Sequence, residues 1–205
     1  MSLLGQAAIA IWHDVPAEAR ADYFEWQNRE HMAERVGIPG FLRGRRYEAI
    51  EGSPEFFTLY EAAGMEVLKG PDYAARLKAP TPQTQRIAAL LQNSARFLCR
   101  VALSLGGGQG GLLMTWRYDV EEGRSDAQRA LLERLLAAVS GAPGVTGAHL
   151  CLSDATPSWV ILVEGATDAA TLRHACRPIY DDALVSAGAT GPIARGLYRL
   201  QYSLG

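Results

Sequence analysis

The sequence predicts an α+β protein made of two tandem βαββαβ units whose antiparallel sheets pack face to face. Three observations carry this. Short strings recur in the same order about a hundred residues apart. Each half alternates strand-like and helix-like segments in the same succession. A glycine-rich stretch, Gly106-Gly107-Gly108-Gln109-Gly110-Gly111, divides the halves.

The strings come first. Gly37-Ile38-Pro39-Gly40 returns as Gly141-Ala142-Pro143-Gly144, and Leu59-Tyr60-Glu61 as Leu162-Val163-Glu164. Pro71-Asp72-Tyr73 with Leu77 matches Pro178-Ile179-Tyr180 with Leu184. Arg100-Val101-Ala102-Leu103-Ser104-Leu105 matches Arg199-Leu200-Gln201-Tyr202-Ser203-Leu204. Four ordered matches with slowly drifting offsets indicate duplication. The halves are then residues 1–105 and 112–205, with 106–111 as a linker.

In the first half, Ala7 to Trp12 is a short apolar run with β-branched members, a strand. Pro16 opens a helix that Asp14 is expected to cap and that ends near Val36, before Gly37. Phe41 to Ile50 and Phe56 to Ala62 read as strands around the turn Glu51-Gly52-Ser53-Pro54. Met65 to Gln92 is helical in pieces, with Thr81 capping the last piece and Pro82 at its first position. Phe97 to Leu105 is the fourth strand. The second half repeats this with strands near Leu112–Tyr118, Val145–Leu152, Trp159–Glu164 and Ile193–Tyr202, and helices near Ser125–Val139 and Asp168–Ala187. Each half is therefore a ferredoxin-like unit. A sheet with helices on one face and Val, Leu, Phe and Trp on the other needs a second sheet to cover it.

Composition bounds the function. Apolar residues make up 48% and charged residues 20%, with a formal net charge of −2 and no Lys/Arg run. No electrostatic track for nucleic acid or an anionic membrane is present. No apolar stretch approaches the roughly 20 residues of a membrane span, and the apolar start from Met1 to Ile11 reads as a strand rather than a signal peptide. A cytoplasmic protein is expected. Cys99, Cys151 and Cys176 are odd in number and lack CxxC spacing, so reduced, partly buried thiols are expected rather than disulfides or zinc. The glycine-rich stretch precedes a strand and holds no Lys, which favours a flexible linker over a phosphate cradle.

Trp26-Gln27-Asn28-Arg29-Glu30-His31-Met32-Ala33-Glu34-Arg35, then Pro39-Gly40-Phe41 and Arg45-Arg46-Tyr47, resemble the dimeric α+β barrel superfamily and within it the EthD-like group and related uncharacterised bacterial proteins. The resemblance covers residues 7–103; the second half is similar in layout. It implies a pseudo-dimeric α+β barrel and a range of activities: cofactor-free monooxygenases, polyketide cyclases, lactone isomerases and proteins without activity. Haem enzymes with duplicated halves also occur in the superfamily, but no haem-specific motif stands here and no cofactor is expected.

His31 is the candidate catalytic residue, because an ordinary imidazole gives or takes a proton near neutrality. On a 3.6-residue wheel Ala19, Tyr23, Trp26, Ala33 and Val36 share an apolar side, with His31 at its edge. Glu34 is expected to pair with a surface cation. Asn28, Arg46, Tyr47, Tyr60 and Tyr73 are the candidate ligand-binding residues, against core packing as the plainer account of the tyrosines. Arg45 and Arg46 alternate across a strand, so one is expected inside and the other solvated; periodicity leaves open which. Aligned through Gly37 and Gly141, the polar set Asn28, His31, Arg46 and Tyr47 becomes Leu132, Leu135, Leu150 and Cys151, so one site per chain is expected, in the first half. No metal site, HExxH or GxSxG motif is present. The readings left open are a cofactor-independent enzyme on an aromatic, polyketide-like or lactone substrate, a non-catalytic ligand-binding or stress-associated barrel, and a structural oligomerisation module. The expected partner is a small molecule. Edge-strand pairing would make a homodimer.

Overall fold

In a computed structural model describing residues 3–205, the chain forms an eight-stranded closed barrel wrapped by helices. The first half runs β1 (Ala7–Asp14), a 3₁₀ turn (Ala17–Ala19), α1 (Arg20–Trp26), a π-helical segment (Gln27–His31) and α2 (Met32–Val36). It continues through β2 (Phe41–Gly52), β3 (Phe56–Ala62), α3 (Met65–Leu68), α4 (Pro71–Lys78), α5 (Pro82–Ala88) and β4 (Gln92–Gly106). The second half is β5 (Leu112–Val120), α6 (Ser125–Ser140), β6 (Val145–Ser153), β7 (Ser158–Gly165), α7 (Ala169–Ala175), α8 (Asp181–Ala187) and β8 (Ala189–Leu204). Met1 and Ser2, included in the expected first strand, lie outside the described residues.

Around the barrel the strands run β1-β3-β2-β8-β5-β7-β6-β4 and close on β1, with antiparallel pairing throughout. Numbered within its own half, each unit has the order 4-1-3-2. Strand two of one half pairs with strand four of the other at both seams, β2 with β8 and β4 with β6. The two sheets thus face each other across a lumen and are also joined at their edges. Closure leaves none of these eight strands with a free edge, which removes the basis for expecting a dimer through edge strands.

Alternation sets what faces inward. Ala8, Ala10 and Trp12 of β1, Phe57 and Leu59 of β3, Leu113 of β5, Cys151 of β6, and Val160 and Leu162 of β7 pack the lumen. Ala7 and Ile9 turn the other way, under the helices, with Met32, Ile38, Phe41 and Tyr60. In the second half Leu132 and Leu136 of α6 share a core with Trp116, Leu150 and Ile161 of the sheet. All three cysteines are free, and they are fully rather than partly buried. No helix among the described residues is long and apolar enough to cross a membrane.

Several local expectations change. Thr81 does cap α5, accepting the Thr84 N–H at 3.0 Å. Asp14 caps no helix: its carboxylate accepts from the Glu55 N–H at 2.6 Å and from Asn93 at 2.7 Å, tying β1 to the β2–β3 turn and to β4. The helix after it begins as a 3₁₀ turn with no side-chain cap. The stretch expected from Asp168 to Ala187 is two helices. The glycine-rich segment is not loose: Gly110 donates its N–H to Glu164 at 3.0 Å, and Gln109 accepts from Arg43 at 3.0 Å.

Candidate functional site

The apolar stripe drawn on an even wheel fails after Trp26. Ala33, expected inside, is exposed, while Met32 and Arg35 are buried. The reason is the π segment at Gln27–His31, whose wider i→i+5 turn shifts the phase of everything after it. Such bulges recur at functional sites, and this one carries Asn28 and His31.

Below it, β2 sends alternate side chains to opposite faces. Arg46 points at the helix and Arg45 into the lumen. Neither is a solvated surface charge, contrary to expectation, since both are buried. Arg46 donates to the Asn28 side-chain oxygen at 2.7 Å, and its guanidinium lies 4.8 Å from the Phe24 ring centre and 5.7 Å from that of Tyr23. The Tyr202 hydroxyl donates to the Asn28 carbonyl at 3.2 Å. Asn28 and Arg46 are thus brought together as one unit.

His31 is half-buried, its ring 4.2 Å from that of Trp26 and 6.4 Å from that of Tyr60. Its Nδ1 is buried with no hydrogen-bond partner among the described residues. Burial, with Arg35 and His13 adding to it, lowers its pKa to about 3. The imidazole is therefore neutral across the physiological range, not poised near neutrality as an unperturbed one would be. Tyr60 is buried against the same helix, its hydroxyl facing the Gln27 side chain without a hydrogen bond of good geometry among the described residues.

Four further members had not been singled out: His13, Tyr23, Gln27 and Thr58. His13 Nε2 lies 3.0 Å from the Tyr23 hydroxyl, with Thr58 and Gln27 beside it. Burial lowers the His13 pKa to about 4, against the pull of Asp14 and with the help of Arg46. Burial also raises the Tyr23 phenol. Thr58 and Tyr60 sit two apart on β3, a spacing that puts both on the helix side. That alternation was the available signal.

The remaining candidates go elsewhere. Tyr47 lies on the opposite face of β2, in the lumen, its ring 5.8 Å from the Arg45 guanidinium. Tyr73 on α4 has its hydroxyl satisfied by Arg96 at 2.7 Å and packs on Phe41. Glu30 accepts from Thr81 and Thr84 of α5, and Glu34 meets Arg76 at 4.0 Å, the surface pairing expected of it.

The matched positions of the second half are apolar toward the helices. Leu132 and Leu150 are buried in its core, and Leu135 packs against it half-buried. The lumen differs, because there the second half keeps charge. Arg43 makes a two-point contact with Glu61 at 2.8 and 3.0 Å. Arg45 reaches Glu61 at 2.9 Å and Glu164 at 2.8 Å. Burial alone would raise the Glu164 pKa, but His149, Arg45 and the Gly110 N–H outweigh it and hold it at about 2. Burial opposes the charge of Arg45; Tyr47, Glu164 and Glu61 overcome that and raise its pKa. Among the described residues no group of three or more His, Cys, Asp or Glu is placed to hold a metal ion.

No protein-family profile matches the sequence, and no curated protein does. Solved structures with the same fold span both halves. An anthrone oxidase-like protein is 11% identical, with 100% of this chain and 95% of that one covered at a TM-score of 0.73. A candidate monooxygenase from Fusobacterium nucleatum is 8% identical, with coverage of 98% and 95% and a TM-score of 0.67. A ferredoxin-fold protein related to antibiotic biosynthesis monooxygenases, from Listeria monocytogenes, is 10% identical, with coverage of 98% and 97% and a TM-score of 0.55. The architecture is that of the dimeric α+β barrels, with both units supplied by one chain.

Proposed function

We propose that this chain, with halves 1–105 and 112–205, is a small-molecule-binding barrel with one site, between its first helix and the outer face of its first sheet. There it acts as a cofactor-independent catalyst on a phenolic, polyketide-like aromatic substrate. One observation carries the reading. Among the described residues, Gln27 Oε1, His31 Nδ1, Thr58 Oγ1 and the Tyr60 hydroxyl are buried under the π segment with no hydrogen bond of good geometry, beside the cation of Arg46. Each such atom costs about 1–3 kcal/mol. A cluster of them between aromatic rings suits a ligand with a few oxygens on a flat apolar body.

The neutral imidazole of His31 accepts a proton from the bound substrate, and Arg46 offsets the enolate or phenolate charge that develops. The carbanion then reduces dioxygen, so that a ring methylene becomes a carbonyl and one water is released. The anthrone oxidase-like neighbour makes an anthrone the first compound to try.

The test is titration calorimetry with an anthrone, followed by oxygen uptake on an electrode. One equivalent bound per chain is expected, with uptake reduced at least tenfold in His31→Ala and the fold unchanged. Two equivalent sites, no binding, or unchanged binding and turnover in His31→Ala would refute the reading. The low pKa of His31 favours one alternative, a binding barrel without turnover, because so weak a base removes protons poorly. Stoichiometric binding without uptake identifies that case.

A further inference from the structure

The lumen cluster contains an arrangement that a purely structural role does not require. Ser104 Oγ lies 3.0 Å from His149 Nδ1, and His149 Nε2 lies 3.4 Å from Glu164 Oε1. Serine, imidazole and carboxylate follow one another at these distances, the order found in an activated nucleophile with its base and the group that orients the base. We propose that Ser104 and His149 form a second site, separate from the one beneath the first helix, which takes the acyl group of small esters or thioesters onto Ser104.

Pseudo-symmetry separates this from a plain ion cluster. His149 occupies the position matched by Arg45, Glu164 that matched by Glu61, and Ser104 that matched by Ser203. Ser203 pairs with Arg45 across the β2–β8 seam as Ser104 pairs with His149 across the β4–β6 seam. The first-half set holds a guanidinium, which cannot serve as a base. The second-half set holds an imidazole. Glu164 already has Arg45 at 2.8 Å and the Gly110 N–H at 3.0 Å, so its charge is compensated without a cation at position 149. Glu164 and Arg45 are positioning residues. The charge of Glu164 beside Nε2 favours the tautomer protonated there, which leaves the Nδ1 lone pair to receive the Ser104 hydroxyl proton.

Ser104 is half-buried and is followed along the chain by the exposed Gly106 and Gly107, so this end of β4 reaches solvent. In the acylation step Oγ bonds to the carbonyl carbon as its proton moves to Nδ1. The bond to the alkoxide or thiolate breaks, and the imidazolium returns the proton to that leaving group. Water attacks by the same route and releases the carboxylic acid, restoring the serine. No other reactant is needed.

A fluorophosphonate probe on the full chain, read by intact mass and peptide mapping, tests the proposal. One adduct on Ser104 is expected. It should be absent in Ser104→Ala, retained in Ser203→Ala, and formed at least tenfold more slowly in His149→Gln, with thermal melting confirming that each variant is folded. A folded wild-type chain that forms no adduct, an adduct mapping elsewhere, or undiminished labelling in Ser104→Ala or folded His149→Gln would overturn it. Should His149→Gln not fold, the comparison of Ser104→Ala with Ser203→Ala decides.

Discussion

Two histidines lie on the helix side of the first sheet, and both are held neutral by burial. His13 sits near 4 in the folded chain against about 6.5 when unfolded. Between those values the unfolded chain binds more protons, so stability present above pH 6.5 is lost as pH falls toward 4. His13 alone accounts for about 3 kcal/mol of that loss. His31, half-buried, adds to it in the same direction. In urea unfolding at pH 7 and pH 4, His13→Gln should lose less stability on acidification than the wild type; equal losses would show that His13 is not held neutral. The sequence offered Asn28, His31, Arg46 and Tyr60 as candidates, because a histidine near a helix end and an alternating strand are local signals. It did not reveal His13 or Tyr23. His13 ends a strand and Tyr23 lies inside a helix, and only packing brings them to 3.0 Å. Nor could strand period tell which arginine turns inward, since alternation fixes relative faces and no absolute one.

At the scale of elements, most limits were legible, because Gly and Pro punctuate them, but β4 and β8 start at Gln92 and Ala189, ahead of the expected Phe97 and Ile193. The π segment was not legible, and it moved Met32 into the place expected for Ala33. A single wider turn leaves no mark on apolar spacing until the next turn is seen packed. The long α6 has no such break, and its apolar positions hold phase: Leu132, Leu136 and Val139 are buried, with Leu135 at the rim. Leu136→Ala should therefore cost about 2–5 kcal/mol, the range for emptying a packed leucine site. Leu135→Ala should cost clearly less, because a half-buried side chain leaves a smaller cavity. Denaturant midpoints of the two variants check the order. Equal losses would mean that α6 packs differently.

At the scale of the whole molecule, duplication was the strongest signal in the sequence, and it also contained the lumen cluster. Leu59-Tyr60-Glu61 and Leu162-Val163-Glu164 were read as matching strands, yet their shared glutamates are the two carboxylates that Arg45 bridges in the lumen. What the strings could not convey is that one guanidinium serves both. Arg45 belongs to the first half, and its partner Glu164 belongs to the second. The seams join the halves by backbone pairing, and Arg45 joins them through the lumen. Removing it would leave Glu164, and one contact of Glu61, buried with fewer counter-charges. Arg45→Met should thus cost about 3–5 kcal/mol, the range for breaking one side of a buried ion pair. Adding Glu164→Gln should recover part of that loss, because the second change removes the charge the first left uncompensated. A double-mutant cycle by chemical unfolding measures this coupling. Additive losses, or a negligible loss in Arg45→Met, would show that backbone pairing at the seams alone holds the two units as one barrel.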